Sequence, residues 1–491
     1  PQIVYKNAVA LVSPNIQQKL NLMNVKDPVD LYAFIDGRIK YRDTPIVKVN
    51  WVVKNNVFTT PGGDITDCSF SGYFINSAVP NQGTNDKNSL ISVPVFVGNY
   101  AGVPFKADSV IIKNIIQPIL TGNIHSSFDM TKLNETVGSD AFRFNTGKAA
   151  LDLTFKVGLN KNEPLPPFIK GYVNIRNLGF TYLPRGISFS NSNVTLFFTG
   201  ADLLVRNTKL QSKSSVLNVS GVVLNFLNLY YTAPEKIVLD WNIESPLINL
   251  NEFQSLLSKR KTYRKKVATT STSGAAKVSQ QLDEVLDQSN VHMKLNLSKV
   301  VYKKFTATDI KASMFMDQTG IFIKDAFVKN SGGTVNLDAN IDQRGAINDV
   351  TLKANVNNVN VKKFFGEFSN FGQTAITSEN IKGSLVADVD ARTKISDGGE
   401  IVGGTMFGSV NFLLKDGELN NFEPFEKIGK IIFRNRNMSH VVFRDIRNRL
   451  DLKGDFIQIN PMRIESSAFT MAVEGVYGLN KGTNIFIDLP L

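Results

Sequence analysis

Almost from end to end, this 491-residue chain alternates apolar and polar residues with a period of two. That rhythm constrains the fold more than any motif does. Successive side chains leave a β-strand on opposite faces, so sustained alternation means strands with one dry face and one wet face. Val47, Val49, Trp51 and Val53 interleave with Lys48, Asn50 and Lys54, and Leu151, Leu153, Phe155, Val157 and Leu159 with Asp152, Thr154, Lys156 and Gly158. Val335, Leu337, Ala339 and Ile341 alternate with Asn336, Asp338, Asn340 and Asp342, and Leu352, Ala354 and Val356 with Lys353 and Asn355. Asn is disfavoured in strands, and its recurrence in the polar phase predicts a long solvated outer face rather than a central buried sheet. Asp416-Gly417 between Leu413-Leu414 and Leu419, and Ser396-Asp397-Gly398-Gly399 before Ile401, carry the chemistry of hairpin turns. Helices are expected to be few and short, over 251–259, 275–287, 362–371 and 424–432.

Two landmarks recur along the chain. The first is a pair of tiny residues followed by alternation: Ser214-Ser215-Val216-Leu217, Gly332-Gly333-Thr334-Val335 and Ser466-Ser467-Ala468-Phe469. The second is an apolar-polar-apolar step leading into a short helix: Phe128 to Leu133, Ile248 to Phe253 and Val359 to Phe364. The second kind is separated by 248−128 = 120 and 359−248 = 111 residues, the first by 332−214 = 118 and 466−332 = 134. These spacings predict repeated units of about 110–130 residues. The expected organisation is an N-terminal unit over 1–140, a second over 141–258, a basic and polar linker with a short helix over 259–290, a third unit over 291–372 and a C-terminal unit over 373–491.

The chemistry-bearing residues are sparse. Cys68 is the only cysteine, which excludes a Cys-rich zinc site and a CxxC redox pair and suits a small core residue. His125, His292 and His440 are isolated from one another in sequence. The motifs GxxxxGK[ST], GxSxG and HExxH are absent. Gly403-Gly404-Thr405-Met406-Phe407-Gly408 opens a strand instead of joining a strand to a helix, so it reads as a turn. Asp388 and Asp390 share one strand face and read as solvent-facing residues, since a glycosidase pair would need a second carboxyl held opposite in a pocket. No cofactor is expected. No run approaches the 18 apolar residues of a membrane-spanning helix.

The net charge of +12 is concentrated. Lys259, Arg260, Lys261, Arg264, Lys265 and Lys266 contribute +6 within eight residues that hold no acid, leaving 12−6 = +6 for the rest. The run leads into Val267 to Gly274, small and polar, so the segment reads as a solvated linker. The alternative is contact with anionic lipid headgroups. The aromatic interleaving of a single-strand nucleic-acid site is limited to Tyr263, and no nucleic-acid partner is expected.

Taken together, the landmarks resemble the AsmA family of Gram-negative envelope proteins, which sits with bridge-like lipid-transfer proteins built from repeating β-groove units. The similarity is carried by Gly408-Ser409-Val410-Asn411-Phe412, Asp416-Gly417-Glu418-Leu419, Phe443-Arg444-Asp445-Ile446, Ile464-Glu465-Ser466-Ser467 and Glu474-Gly475-Val476-Tyr477, with Asn174 to Phe180 and Asp202 to Val205 upstream. It covers residues 140 to 491, and the first 140 more loosely. The resemblance implies a mainly β fold: an elongated, curved antiparallel sheet forming an open apolar groove, with a few short helices. It also implies a periplasmic location, with inner-membrane anchoring through an N-terminal helix that this chain does not show. The implied function is non-enzymatic binding or transfer of phospholipid or glycolipid, in support of outer-membrane assembly or lipid homeostasis.

The bottom-up reading agrees, because an apolar sheet face with few helices to cover it can curl into a trough suited to acyl chains. Groove-facing candidates are Val335, Leu337, Ala339, Ile341, Leu352, Ala354, Val356, Leu385, Ala387, Val389, Val410, Phe412 and Leu414. Two rivals remain open at this point: a structural or adhesive all-β envelope protein with its core packed shut, and an enzyme acting on polysaccharide. Periodicity alone separates neither, since a groove and a sandwich both bury alternate residues.

Overall fold

Alternating sequences become strands only when backbone partners are available on each side, and here they are supplied by the next stretch of chain. The computed structural model describes residues 2–10, 17–18, 20–38, 44–136, 141–159, 167–229, 237–258, 291–372, 376–423, 425–427, 438–479 and 482–489. Among these residues the protein is mainly β, with 26 strands, and every pairing between them is antiparallel. The chain divides into two units. One takes in the described residues up to 210 together with 219–229 and 237–239, and the other takes in 211–218, 240–258 and the described residues from 291 onward.

The first unit holds β1 (Gln2–Ile3), β2 (Asn24–Val25), β3 (Val29–Asp36), β4 (Ile46–Thr60), β5 (Gly63–Ile75), β6 (Leu90–Tyr100), β7 (Val103–Lys113), β8 (Ile119–Asp129), β9 (Phe142–Gly158), β10 (Phe168–Tyr182) and β11 (Ile187–Gly200). From β3 to β11 each strand pairs with the next in sequence. The strands β12 (Leu203–Ser212), β13 (Ser215–Leu224) and β14 (Val238–Asn249) contribute residues to both units. The second unit holds β15 (Val291–Tyr302), β16 (Phe305–Met316), β17 (Gly320–Asn330), β18 (Gly333–Asp342), β19 (Asn348–Asn360), β20 (Ile381–Ile395), β21 (Phe407–Asn420), β22 (His440–Val442), β23 (Ile446–Lys453), β24 (Phe456–Glu465), β25 (Thr470–Gly478) and β26 (Asn484–Asp488). These too pair in sequence order, with β21 joined to both β22 and β23. The α-helices are short: α1 (Tyr5–Val9), α2 (Leu133–Thr136) and α3 (Val361–Glu367).

Many of the longer strands are interrupted. Asn55, Asp67, Asn177, Asn191, Asp309, Asp325, Asn358 and Asp416 all adopt left-handed backbone conformations, with φ between 43° and 51°. Each lies where a ladder shifts register. These are β-bulges: one strand spends an extra residue, bends, and twists more strongly. Asn and Asp fill the position because their short polar side chains tolerate the left-handed region better than other L-residues. The bulge resets the alternation, so that the apolar face passes from residue i to i+3: Val53 to Asn56, Ile175 to Leu178, Ala307 to Ile310, Ile323 to Ala326, Val356 to Val359 and Leu414 to Gly417. Most of these flanking positions are deeply buried, among them Val53, Asn56, Leu178, Ala307, Ile310, Ala326, Val356 and Val359. The cores are therefore several clusters rather than one interior layer: four take in bulge positions, and another gathers Val441, Phe443, Ile464, Phe469 and Met471 around the C-terminal strands.

The recurring landmarks touch one another. In the second unit, Glu252 accepts hydrogen bonds from the backbone N–H of Ser214 at 3.0 Å and of Ser215 at 3.3 Å, while Asn249 donates its N–H to Ser215 Oγ at 2.9 Å. Further along the same unit, Glu367 on α3 accepts from Asn330 Nδ2 at 2.6 Å and Ser331 Oγ at 3.3 Å, and the N–H of Asn360 reaches Ser331 O at 3.0 Å. Asn249 and Asn360 also cap the helical segments they precede, accepting from Asn251 and Lys363. A tight hairpin turn and a short helix thus clamp each other through one carboxylate.

The helix expected over 251–259 is a 3-10 segment, Leu250–Leu256, and that over 362–371 is α3 followed by a 3-10 turn at Ser369–Gly372. The expected helix over 275–287 and most of that over 424–432 fall outside the described residues. Asp416-Gly417 is not a hairpin turn. It is a bulge inside β21, which runs on through Glu418 and Leu419. Ser396 to Glu400 does form a turn, closed by Gly399 N–H to Ser396 O at 2.9 Å. Cys68 is fully buried, as its size suggests.

Candidate functional site

Cross-strand register decides which side chains share a face, because directly paired residues project together. In β18 to β21 the thirteen groove-facing candidates fall into continuous rows. Val335 pairs with Val356, Val356 with Ala387 and Ala387 with Phe412. The next row is Leu337, Ala354, Val389 and Val410, carried on to Leu450 and Ile459. Ala339 pairs with Leu352, Ile341 with Val350, and Leu385 with Val359 and Leu414. All thirteen therefore lie on one face of one four-stranded run.

Burial along that face is graded. At the end nearest α3, Val359 is 0 % exposed, and Val356, Ala387 and Leu414 are buried. Phe364 of α3 packs on this cluster. Away from it, Ala354, Leu352, Val350, Val389, Val410, Leu337, Ala339 and Ile341 are only partly buried, and Ile347 at the far end is 41 % exposed. Among the described residues of this unit, the apolar cluster on β18 to β21 is small and confined to the α3 end. The rest of the face is apolar yet incompletely covered.

The opposite face is polar and solvated. Lys353 sits 3.9 Å from Asp390, Lys324 3.3 Å from Asp338 and Lys394 2.8 Å from Asp349, and Asn355 hydrogen-bonds Asp388. The N–H of the bulge residue Asp325 reaches Asp338 at 2.8 Å and, with Lys324, holds that carboxyl below its ordinary range. Asp388 and Asp390 are thus exposed strand residues with neighbouring partners, as their spacing suggests.

The first unit repeats the arrangement. One row runs Val53, Phe70, Phe96, Ala107, Ile124, Leu153, Gly171 and Phe198 across β4 to β11. Phe70 and Phe96 meet edge to face at 4.7 Å. The side chain that Gly171 lacks is required to be absent: at φ +134°, a Cβ there would lie 2.1 Å from Asp152 O. None of Phe70, Phe96, Ile124 or Phe198 stands out in sequence as a site: bulges at Asp67 and Asn191 interrupt the alternation before Phe70 and Phe198, and Ile124 shares its phase with Gly122 and Ser126.

One polar cluster escapes sequence reading. His125 Nε2 lies 2.9 Å from Asp108 and its Nδ1 3.4 Å from Asp152, and Asn123 donates to Asp108 at 2.9 Å. Hydrogen bonds from Asn123 and then His125 pull the Asp108 carboxyl below its usual range. The three elements β7, β8 and β9 bring these residues together on the solvated side, where the imidazole is tied to two carboxylates. Among the described residues no cluster of His, Cys, Asp and Glu is placed to hold a metal ion, and no helix is long and apolar enough to cross a membrane. The basic run Lys259, Arg260, Lys261, Arg264, Lys265 and Lys266 lies outside the described residues.

The AsmA family model matches residues 108–451. The chain belongs to the AsmA family. The match begins earlier than the residue 140 from which the sequence resemblance reads clearly, and it ends before Ile464 to Ser467 and Glu474 to Tyr477. No curated protein and no solved structure matches the chain. AsmA membership associates the chain with the cell envelope and with a lipid and membrane context, and the AsmA family is not a known enzyme family.

Proposed function

We propose that this AsmA-family chain is a non-enzymatic lipid-binding or lipid-conducting protein of the Gram-negative periplasm, serving outer-membrane assembly or lipid homeostasis. The observation that carries the reading is the one-sided apolar face of β18 to β21, continuous across four strands yet partly exposed over most of its length. Exposed apolar area costs about 25 cal/mol per Å², so covering such a face with something apolar is favourable. Acyl chains fit, because they demand no hydrogen bonds from the face and leave their headgroups in water. Phospholipid or glycolipid would occupy Leu337, Ala339, Ile341, Leu352, Ala354, Val389 and Val410, with Val335, Val356, Leu385, Ala387, Phe412 and Leu414 forming the closed end. The basic run at 259–266 would meet anionic headgroups.

Native mass spectrometry of gently purified protein, followed by organic extraction, tests this. Reproducible phospholipid or glycolipid is expected, reduced in Leu337→Lys and retained in Asn336→Lys on the solvated face. A clean apo mass, or a Leu337→Lys chain that unfolds, would instead support a closed structural core.

A further inference from the structure

The segment that closes the apolar face carries aromatic rings which that closure does not use. Phe364 faces the cluster of Val356, Val359 and Ala387. Phe368 and Phe371 do not: they are 41 % and 46 % exposed, with their rings stacked at 5.4 Å and 7°. Phe305 extends the patch, 5.3 Å from Phe368, and Phe365 lies 5.2 Å from Phe371.

The backbone holds this stack outward against its own preference. Ser369, Asn370 and Phe371 have φ of 51°, 54° and 55°, three successive L-residues in the left-handed region, followed by Gly372 at 74°. A bulky residue there is an outlier that the surroundings must enforce. Asn370 does so by accepting the N–H of Ser378 at 2.8 Å, and Phe371 by donating its own to Phe368 O at 3.0 Å.

Lysines flank the patch residues in sequence, Lys303 lying over the Tyr302 ring at 5.5 Å. Lys303 and Lys304 precede Phe305, Lys362 and Lys363 precede Phe364, and all four are exposed. The carboxylate of α3, Glu367, is turned inward onto Asn330 and Ser331, while Glu379 meets Lys362 at 3.4 Å. Phenyl rings that offer no hydrogen-bonding atom, with exposed lysines next to them in sequence, match the depth profile of an anionic membrane interface, where rings sit among upper acyl chains and ammonium groups among phosphates.

We propose that the aromatic knuckle of α3 and the following turn docks this chain onto the surface of an anionic phospholipid bilayer. Docking goes beyond lipid carriage and fails separately from it. A chain that docks through the knuckle but yields no extractable lipid would keep this inference and lose the other.

The test uses the whole chain and vesicles of phosphatidylcholine, with or without phosphatidylglycerol. Flotation with the anionic vesicles is expected, and Phe368→Ser with Phe371→Gly should weaken it about tenfold. Phe371→Gly alone relieves the left-handed strain, so it should weaken flotation without lowering the melting temperature, which a purely structural ring would not do. A position-specific readout separates the knuckle from the basic run. The fluorescence of Phe371→Trp, compared with the parent whose tryptophans are Trp51 and Trp241, should shift to the blue and be quenched by brominated lipid. Flotation unchanged in the variants, an indole at position 371 that stays unquenched, or self-association through the patch without flotation would each overturn the proposal.

Discussion

Glu252 shows how much one surface carboxylate organises. Burial disfavours its charge, yet the hydrogen bonds from Ser214 and Ser215 outweigh that and hold its pKa below the ordinary glutamate value. A depressed folded pKa stabilises the protein above the unfolded value of about 4.3, and that stability is lost as pH falls through the folded value. Glu252→Gln should therefore cost about 1 kcal/mol near neutrality and flatten the acid limb of a stability profile below about pH 4.3. An unchanged acid limb would mean the turn holds without the carboxylate. Gly171 is constrained by space, with Asp152 O where its Cβ would stand and a φ of +134°. Gly171→Ala should lower stability by on the order of 3 kcal/mol, visible as a shifted urea midpoint, whereas Gly186→Ala, where nothing lies within 4 Å, should cost only its left-handed strain, about 1 kcal/mol.

At the scale of strands, the bulge is the unit that makes this sheet. Asn358→Gly should leave stability within about 0.5 kcal/mol, since glycine accepts the left-handed position, while Asn358→Val should cost about 1–2 kcal/mol because a β-branched residue does not. Equal effects of the two, measured by thermal unfolding, would mean that the left-handed backbone at Asn358 carries no energetic weight. The bulges also explain what is legible in the sequence. Val335 to Ile341, Leu352 to Val356 and Leu385 to Val389 alternate cleanly because they lie between bulges, so their shared face is readable. Ala326, Val328 and Val359 belong to the same face but sit past Asp325 and Asn358, where parity flips, so simple alternation misassigns them. Asp416-Gly417 reads as a hairpin for the same reason, since a tight turn and a bulge call on the same positive-φ residues. The recurrent Asn reads in sequence only as solvated surface, although Asn56, Asn330 and Asn348 are buried and Asn55, Asn177 and Asn358 bend strands. His125 between Asp108 and Asp152 has no sequence signal, because strand pairing alone unites residues so far apart.

For the molecule as a whole, strands that pair with the next strand in sequence or, at β1, β2 and β21, with the one after it make stability a sum of local terms, as in repeat proteins. Damage to β10 by Gly171→Ala should raise amide exchange in β9 to β11 and leave β23 to β25 protected. Ligand adds to this local account by mass action: anything bound to the folded face alone stabilises by RT ln(1 + [L]/Kd), about 2.7 kcal/mol at a hundredfold excess over Kd. A lipid lying on the rows of Leu337, Ala354, Val389 and Val410 should act on the strands that carry them. Stripping lipid from the purified chain should then raise exchange most in β18 to β21, and restoring phospholipid should reverse it, with Leu337→Lys insensitive to both. Protection that rises uniformly through the chain would point to a general solvent effect of the lipid. No change in β18 to β21 would mean that their partly exposed apolar face is stable uncovered, and lipid carriage would have to be sought on the rows of Phe70, Phe96, Ile124 and Phe198 in the first unit.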